Sequence, residues 1–156
     1  MLNLKIIAVG KLKEKAFAEL EQEYLKRLKP FAKISIVEIP DESHSTDKEA
    51  YSARKKEAEK ILKQIKDNTS IFALDEKGKA VSTSQLAILL KPLDESGQEI
   101  NLVIGGSTGL DESVIKKANF ALSLSPLTFT HNFARVLLLE QLYRATTILN
   151  GKKYHY

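Results

Sequence analysis

Ile100-Asn-Leu-Val-Ile104 runs without a break into Gly105-Gly-Ser-Thr-Gly109, and the stretch from Asp111 to Ala118 then has a helical pattern. A short apolar run closed by glycines reads as a buried strand and a tight loop. Strand, glycine loop and helix in that order form half of a crossover between parallel strands. Such a loop lies at the carboxyl end of its strand, where open α/β sheets bind ligands.

The chain on either side repeats this alternation. Leu4 to Val9 is a first strand, ended by Gly10. Glu14 to Lys29 carries Phe17, Leu20, Tyr24 and Leu28 on one helical stripe, closed by Pro30. Lys33 to Ile39 alternates as a second strand, and Asp41 to Asp47 is a polar loop. Thr46 and Glu49 predict a capping box for a helix reaching about Lys66, with Tyr51, Ala58, Ile61, Leu62 and Ile65 inward. Ser70 to Leu74 is the third strand, left through a turn at Asp75 to Lys79. Ser82 and Gln85 form a second box, opening a short helix to Leu90, and Pro92 to Gln98 reads as loop. After the glycine loop and its helix, Phe120 to Leu124 is a fifth apolar segment. Ser125 to His131 takes no assignment from its pattern. From about Asn132 to Leu149 a long helix is apolar on nearly every face, and Gly151 stops it. Five strands and five helices predict an α/β fold with a parallel sheet, in one domain spanning 1–156. A helix apolar all round in so short a chain asks for cover from a second subunit.

Composition narrows the functional classes. The 156 residues are 43% hydrophobic and 28% charged, ordinary values for a globular domain. There is no cysteine, which excludes disulfides, thiolate nucleophiles and thiolate metal sites, and fits a cytoplasmic location. No apolar run approaches the ~20 residues of a membrane span, and the start is too short for a secretory signal. The net charge is +4, with basic ends and a slightly acidic middle. A polyanionic partner is permitted by that pattern, not required.

The glycine loop is neither the dinucleotide fingerprint nor a P-loop, since no Lys-Ser/Thr pair follows. A ligand-free tight turn stays open as its alternative. If the ends of Leu74, Ile104 and Leu124 converge, they offer backbone groups and little fixed charge, which suits a nucleoside better than a pyrophosphate. His44, His131 and His155 are far apart and give no metal-ligand spacing, so no metal is expected. Ser107 lacks the G-x-S-x-G setting of a hydrolase nucleophile.

Several motifs occur in order: Leu4-Lys-Ile-Ile-Ala-Val-Gly10, Leu74-Asp-Glu-Lys-Gly78, Gly105-Gly-Ser-Thr-Gly109, Ser123-Leu-Ser-Pro-Leu-Thr-Phe-Thr-His131, Arg135, Leu139-Glu-Gln-Leu-Tyr-Arg-Ala145 and Gly151-Lys-Lys-Tyr-His155. Together they resemble the RlmH family of bacterial ribosomal RNA methyltransferases, within the SPOUT superfamily, over essentially the whole chain. The resemblance implies a parallel α/β domain with a C-terminal deep trefoil knot, a homodimer, and S-adenosyl-L-methionine bound in the knot. It implies methylation of N3 of a pseudouridine in helix 69 of 23S ribosomal RNA, on the assembled 70S ribosome. Carried over by motif, the cofactor contacts are Leu74, Gly105, Leu124, Ser125, Pro126, Leu127, Thr128 and Phe129. Arg144, Tyr154 and His155 serve the reaction, and His131, Arg135, Lys152 and Lys153 serve the RNA. Ser107-Thr108 departs from the small residues or Pro-Glu that the resemblance implies in the glycine loop, a change that backbone contacts tolerate.

The chemistry leaves roles open. The target N3 is an imide N–H and must lose its proton. His155 could accept it near neutral pH, or could instead stack or support structure. Arg144 could stabilise the developing anion, or simply pair with Glu140 four residues earlier. Tyr154 could stack on a base or anchor the tail. A non-catalytic RNA-binding factor for ribosome assembly is the alternative function, distinguished by RNA binding that ignores the cofactor.

Overall fold

In the computed structural model, which describes residues 1–152, the expected alternation is present. The elements are β1 (Leu2–Val9), α1 (Lys15–Leu28), β2 (Ala32–Ile39), α2 (Asp47–Lys63), β3 (Ser70–Ala80), α3 (Thr83–Ser96), β4 (Glu99–Ile104), α4 (Glu112–Lys117), β5 (Phe120–Ser123) and α5 (His131–Leu149). All pairings are parallel, in the order β2-β1-β4-β3-β5. The central strands are apolar on both faces because both faces are covered. Leu4, Ile6, Leu102 and Leu122 pack with α1, α3 and α5 on one side. Ile7, Val9, Val103 and Val114 pack with Ala58 and Ile61 of α2 on the other.

Several details differ from the sequence expectation. α3 does not stop at Leu90 but continues through Pro92 to Ser96. The hydrogen bond that proline cannot donate would go to the carbonyl of Ile88, whose residue is exposed and leaves that oxygen to water. The real stop is Gly97, in the left-handed region at φ +67. Its N–H donates to Asp94 O, and that of Gln98 donates to Leu93 O. The segment after Leu74 is not a free turn. Leu74 and Lys79 both pair with Leu122, so residues 75–78 form an excursion within β3. Tyr51 and Leu20, expected inward, are exposed, while Glu21 takes the buried position on α1. The α2 box closes one residue early: Glu49 N–H donates to Thr46 Oγ1, but the Glu49 carboxylate accepts from Ser45 N–H.

α5 is better covered by its own chain than its sequence suggests. Leu138, Leu139, Leu142 and Ala145 are fully buried between α1, α3 and the sheet. A partly open stripe runs at i, i+4, i+7, i+11 and i+15: Phe133, exposed, then Leu137, Glu140, Arg144 and Ile148, half-buried. Phe17 of α1 meets Phe133 edge-on, with ring centres 4.8 Å apart.

Candidate functional site

Parallel strands put all their carboxyl ends on one edge. In the β4-β3-β5 run, Ala73 pairs with Val103 and Leu74 with Leu122. Leu74, Gly105 and Leu124 therefore leave three adjacent strands at the same level. The sequence-expected cofactor residues are brought together here, three loops meeting over one sheet edge. Leu74 and Leu124 are half-buried against the core, whereas Leu127 and Phe129 present apolar surface to solvent. No side chain from Leu124 to Phe129 is charged.

Hydrogen bonds tie these loops to each other. Ser123 Oγ donates to Glu76 O and Ser125 O, both at 3.1 Å. Thr128 Oγ1 donates to the Glu76 carboxylate at 2.7 Å. Leu127 N–H donates to Ser125 Oγ at 3.0 Å. The 75–78 excursion thus lies across the chain as it leaves β5. Gly78 fits because a Cβ there would fall 2.6 Å from Ala121 O. Below Leu124 a cavity of about 70 Å³ is lined by Val81, Leu86, Leu122, Ser123 and Gln141 among others. It is too small for a nucleoside.

Gly105 is small for a reason that sequence alone did not supply. A Cβ on it would meet the Gly109 carbonyl carbon at 2.7 Å and Leu110 N at 2.9 Å. The loop closes on itself, with Gly109 N–H donating to Gly106 O. The glycine is required for the loop's shape before any ligand is considered.

The expected RNA-facing residues divide. His131 opens α5 at the same sheet end, its ring against Gly10; a Cβ on Gly10 would fall 3.0 Å from Nε2. Arg135 does not face a partner. It is 3% exposed, and its guanidinium donates to Glu21 at 2.5 Å and Glu38 at 2.8 Å. Those carboxylates come from α1 and β2, so Arg135 locks the start of α5 into the fold. Glu21, an acidic residue within an apolar-spaced helix, was the available signal for it. Arg144 donates to Glu140, the pairing that its i, i+4 spacing allowed. Lys152 sits with Nζ 4.7 Å from the centre of the Phe31 ring. Lys153, Tyr154, His155 and Tyr156 lie outside the described residues. Among the described residues no cluster of side chains could hold a metal ion, and no helix is long and apolar enough to cross a membrane.

Behind the glycine loop, Glu57 of α2 is buried and accepts from Glu42 N–H at 3.0 Å. Burial pushes its carboxyl above the ordinary range, and the Glu42 N–H offsets part of that rise.

Residues 2–155 match the family described as "Predicted SPOUT methyltransferase". A protein of Alkaliphilus oremlandii named "Ribosomal RNA large subunit methyltransferase H" is 46% identical over 158 residues, covering 99% of both chains. The protein of that name from Clostridium botulinum strain Okra is 45% identical with the same coverage. Among solved structures, a probable methylase family protein from Haemophilus influenzae superposes with a TM-score of 0.57 at 14% identity, over 99% of this chain and 71% of that one. A Legionella pneumophila structure in complex with the cofactor SAM gives 0.51 at 13% identity, over 92% and 66%. At such identities the structural likeness speaks for the fold alone.

Proposed function

The chain belongs to the RlmH family of SPOUT ribosomal RNA methyltransferases, and from that premise we propose that it methylates N3 of a pseudouridine in helix 69 of 23S ribosomal RNA, within assembled 70S ribosomes, using S-adenosyl-L-methionine. The observation that carries the cofactor assignment is the meeting of Leu74, Gly105 and the 124–129 loop over three adjacent strand ends. Backbone groups and uncharged apolar side chains fit a nucleoside, and Glu76 puts a carboxylate beside the cleft for a positively charged centre. Crossing of the 75–78 excursion over the chain leaving β5 supports a knotted C-terminal region. One domain spanning the chain accords with a single continuous sheet. Action on ribosomes puts the protein in the cytoplasm.

When bound, the cofactor supplies an electrophilic methyl group. The work left to the chain is to hold the imide in line, help its proton leave and balance the anion. Arg144, Tyr154 and His155 take these roles. Geometry adds a condition. α5 has 19 residues and so is about 28 Å long. It runs from His131, beside Gly10 at the carboxyl edge, to Lys152, beside Phe31 at the opposite edge. Four further residues reach at most about 14 Å. That span supports a reading in which the tail serves the pocket of a second copy. A two-fold homodimer packed along the open stripe Phe133, Leu137, Arg144 and Ile148 delivers both tail and Arg144 across the interface.

The test uses isotope-labelled S-adenosyl-L-methionine and 70S ribosomes lacking the modification, with the product mapped by mass spectrometry. A single N3-methylated pseudouridine in helix 69 is expected. Ribosome binding that is indifferent to cofactor, with no methyl incorporated, would favour the assembly-factor alternative.

A further inference from the structure

The loop between β1 and α1 carries charge that neither the fold nor the cofactor cleft uses. Lys11, Lys13 and Lys15 fall within five residues and are all exposed. Lys15 has only a loose, exposed pair with Glu19, at 3.6 Å. Among the described residues, no carboxylate lies within ion-pair distance of Lys11 or Lys13. Among nearby acids, Glu21 and Glu38 are answered by Arg135 and Glu42 by Lys60 at 2.6 Å; Glu14, exposed between Lys13 and Lys15, leaves residues 11–15 a net +2.

Position makes this charge informative. β1 and β4 are neighbours in the sheet, with Ala8 opposite Ile104. The loops leaving them start one strand spacing apart, about 4.8 Å. Contact across that gap is direct, since a Cβ on Gly106 would fall 3.0 Å from a Val9 methyl. The lysines thus flank the Gly105–Gly109 loop on the side away from β3 and β5. His131, lying on Gly10, holds this loop against the start of α5.

We propose that Lys11 and Lys13 form a phosphate-docking rim for the RNA substrate, gripping the backbone beside the nucleotide whose base enters the cleft. This rests on the RNA methyltransferase reading and extends it to a surface outside the cofactor loops. Residues 122–129 carry no basic side chain, and in the 75–79 segment across them Lys77 and Lys79 are balanced by Asp75 and Glu76. A polyanion guided there needs its neutralising charge on the rim, where phosphate contacts fix register without reading sequence.

The experiment measures cosedimentation of the full-length protein with 70S ribosomes across 50–200 mM salt. Wild type is compared with Lys11→Gln/Lys13→Gln and with a charge-matched control, Lys116→Gln/Lys117→Gln, at the end of α4. Each phosphate contact contributes about 0.7–0.9 to the slope of log K against log salt. Wild-type affinity should therefore fall roughly seven- to twelvefold more than that of the Lys11/Lys13 variant over this range. Cofactor affinity and sedimentation of the free protein should stay unchanged, and the control should keep the wild-type slope. Equal slopes for wild type and the Lys11/Lys13 variant would overturn the proposal. So would the same loss in the control, which would indicate net charge alone. The slope is read without catalysis, so a wild type that binds but transfers no methyl would defeat the functional reading and leave the docking result standing.

Discussion

Removing the Arg135 guanidinium leaves buried Glu21 and half-buried Glu38 without their shared cation. Arg135→Leu should destabilise the fold by about 3–5 kcal/mol, because two carboxylates lose their only buried cation; chemical denaturation measures it. Glu57 works in the opposite sense. Its folded pKa is raised, so the folded state binds that proton more tightly than the unfolded chain, and stability from this group rises as pH falls through the carboxylate range. At neutral pH the ionised form is a cost. Glu57→Gln should therefore raise Tm at pH 7, and the gain should shrink toward pH 4.5, which thermal melts across pH will show. Gly105→Val should abolish cofactor binding in calorimetry. The cause is displacement of the loop by a Cβ that cannot pass the Gly109 carbonyl, so a lowered Tm should accompany it. The motif around Arg135 was legible in the sequence, but its burial was not. An arginine reads as surface charge until two acids from distant elements are seen around it, at sequence separations of 114 and 97 residues.

The start of α3 shows how local chemistry sets an element. Ser82 accepts from Gln85 N–H at 3.2 Å and Gln85 Oε1 accepts from Ser82 N–H at 2.8 Å, the reciprocal box its spacing predicts. Ser82→Ala should cost about 0.5–2 kcal/mol in denaturant unfolding. Because Val81 and Ser82 also line the cavity under Leu124, the same change should loosen the 124–129 loop and weaken cofactor binding modestly. Strand and helix order were readable from periodicity because buried parallel strands leave continuous apolar runs. The ends were not. Pro92 reads as a break, yet α3 runs through it to Gly97, where the Gly97 and Gln98 N–H groups close the helix on Asp94 O and Leu93 O. The excursion at 75–78 reads as a turn, since nothing local says that the chain will resume pairing opposite Leu122.

At the scale of the whole molecule, the length of α5 decides the architecture of the site. It carries the chain from His131, at the carboxyl edge of the sheet, to Lys152, beside Phe31 at the opposite edge, and the proposed shared site rests on that span. The apolar pattern of α5 suggested a partner for a partly different reason: much of that surface is covered by α1 and α3, and the Phe133 to Ile148 stripe stays partly open. Deleting Tyr154 to Tyr156 should leave dimerisation and cofactor affinity intact and nearly abolish methyl transfer. The most direct test mixes two inactive homodimers under conditions of subunit exchange, one lacking Tyr154 to Tyr156 and one carrying Gly105→Val, each first shown to be a folded dimer. Mass spectrometry then follows N3 methylation in 70S ribosomes. A shared site predicts that activity returns, because the mixed dimer joins an intact pocket to an intact tail from the other copy. Continued absence of methylation in a mixture shown to contain the heterodimer would contradict the shared site.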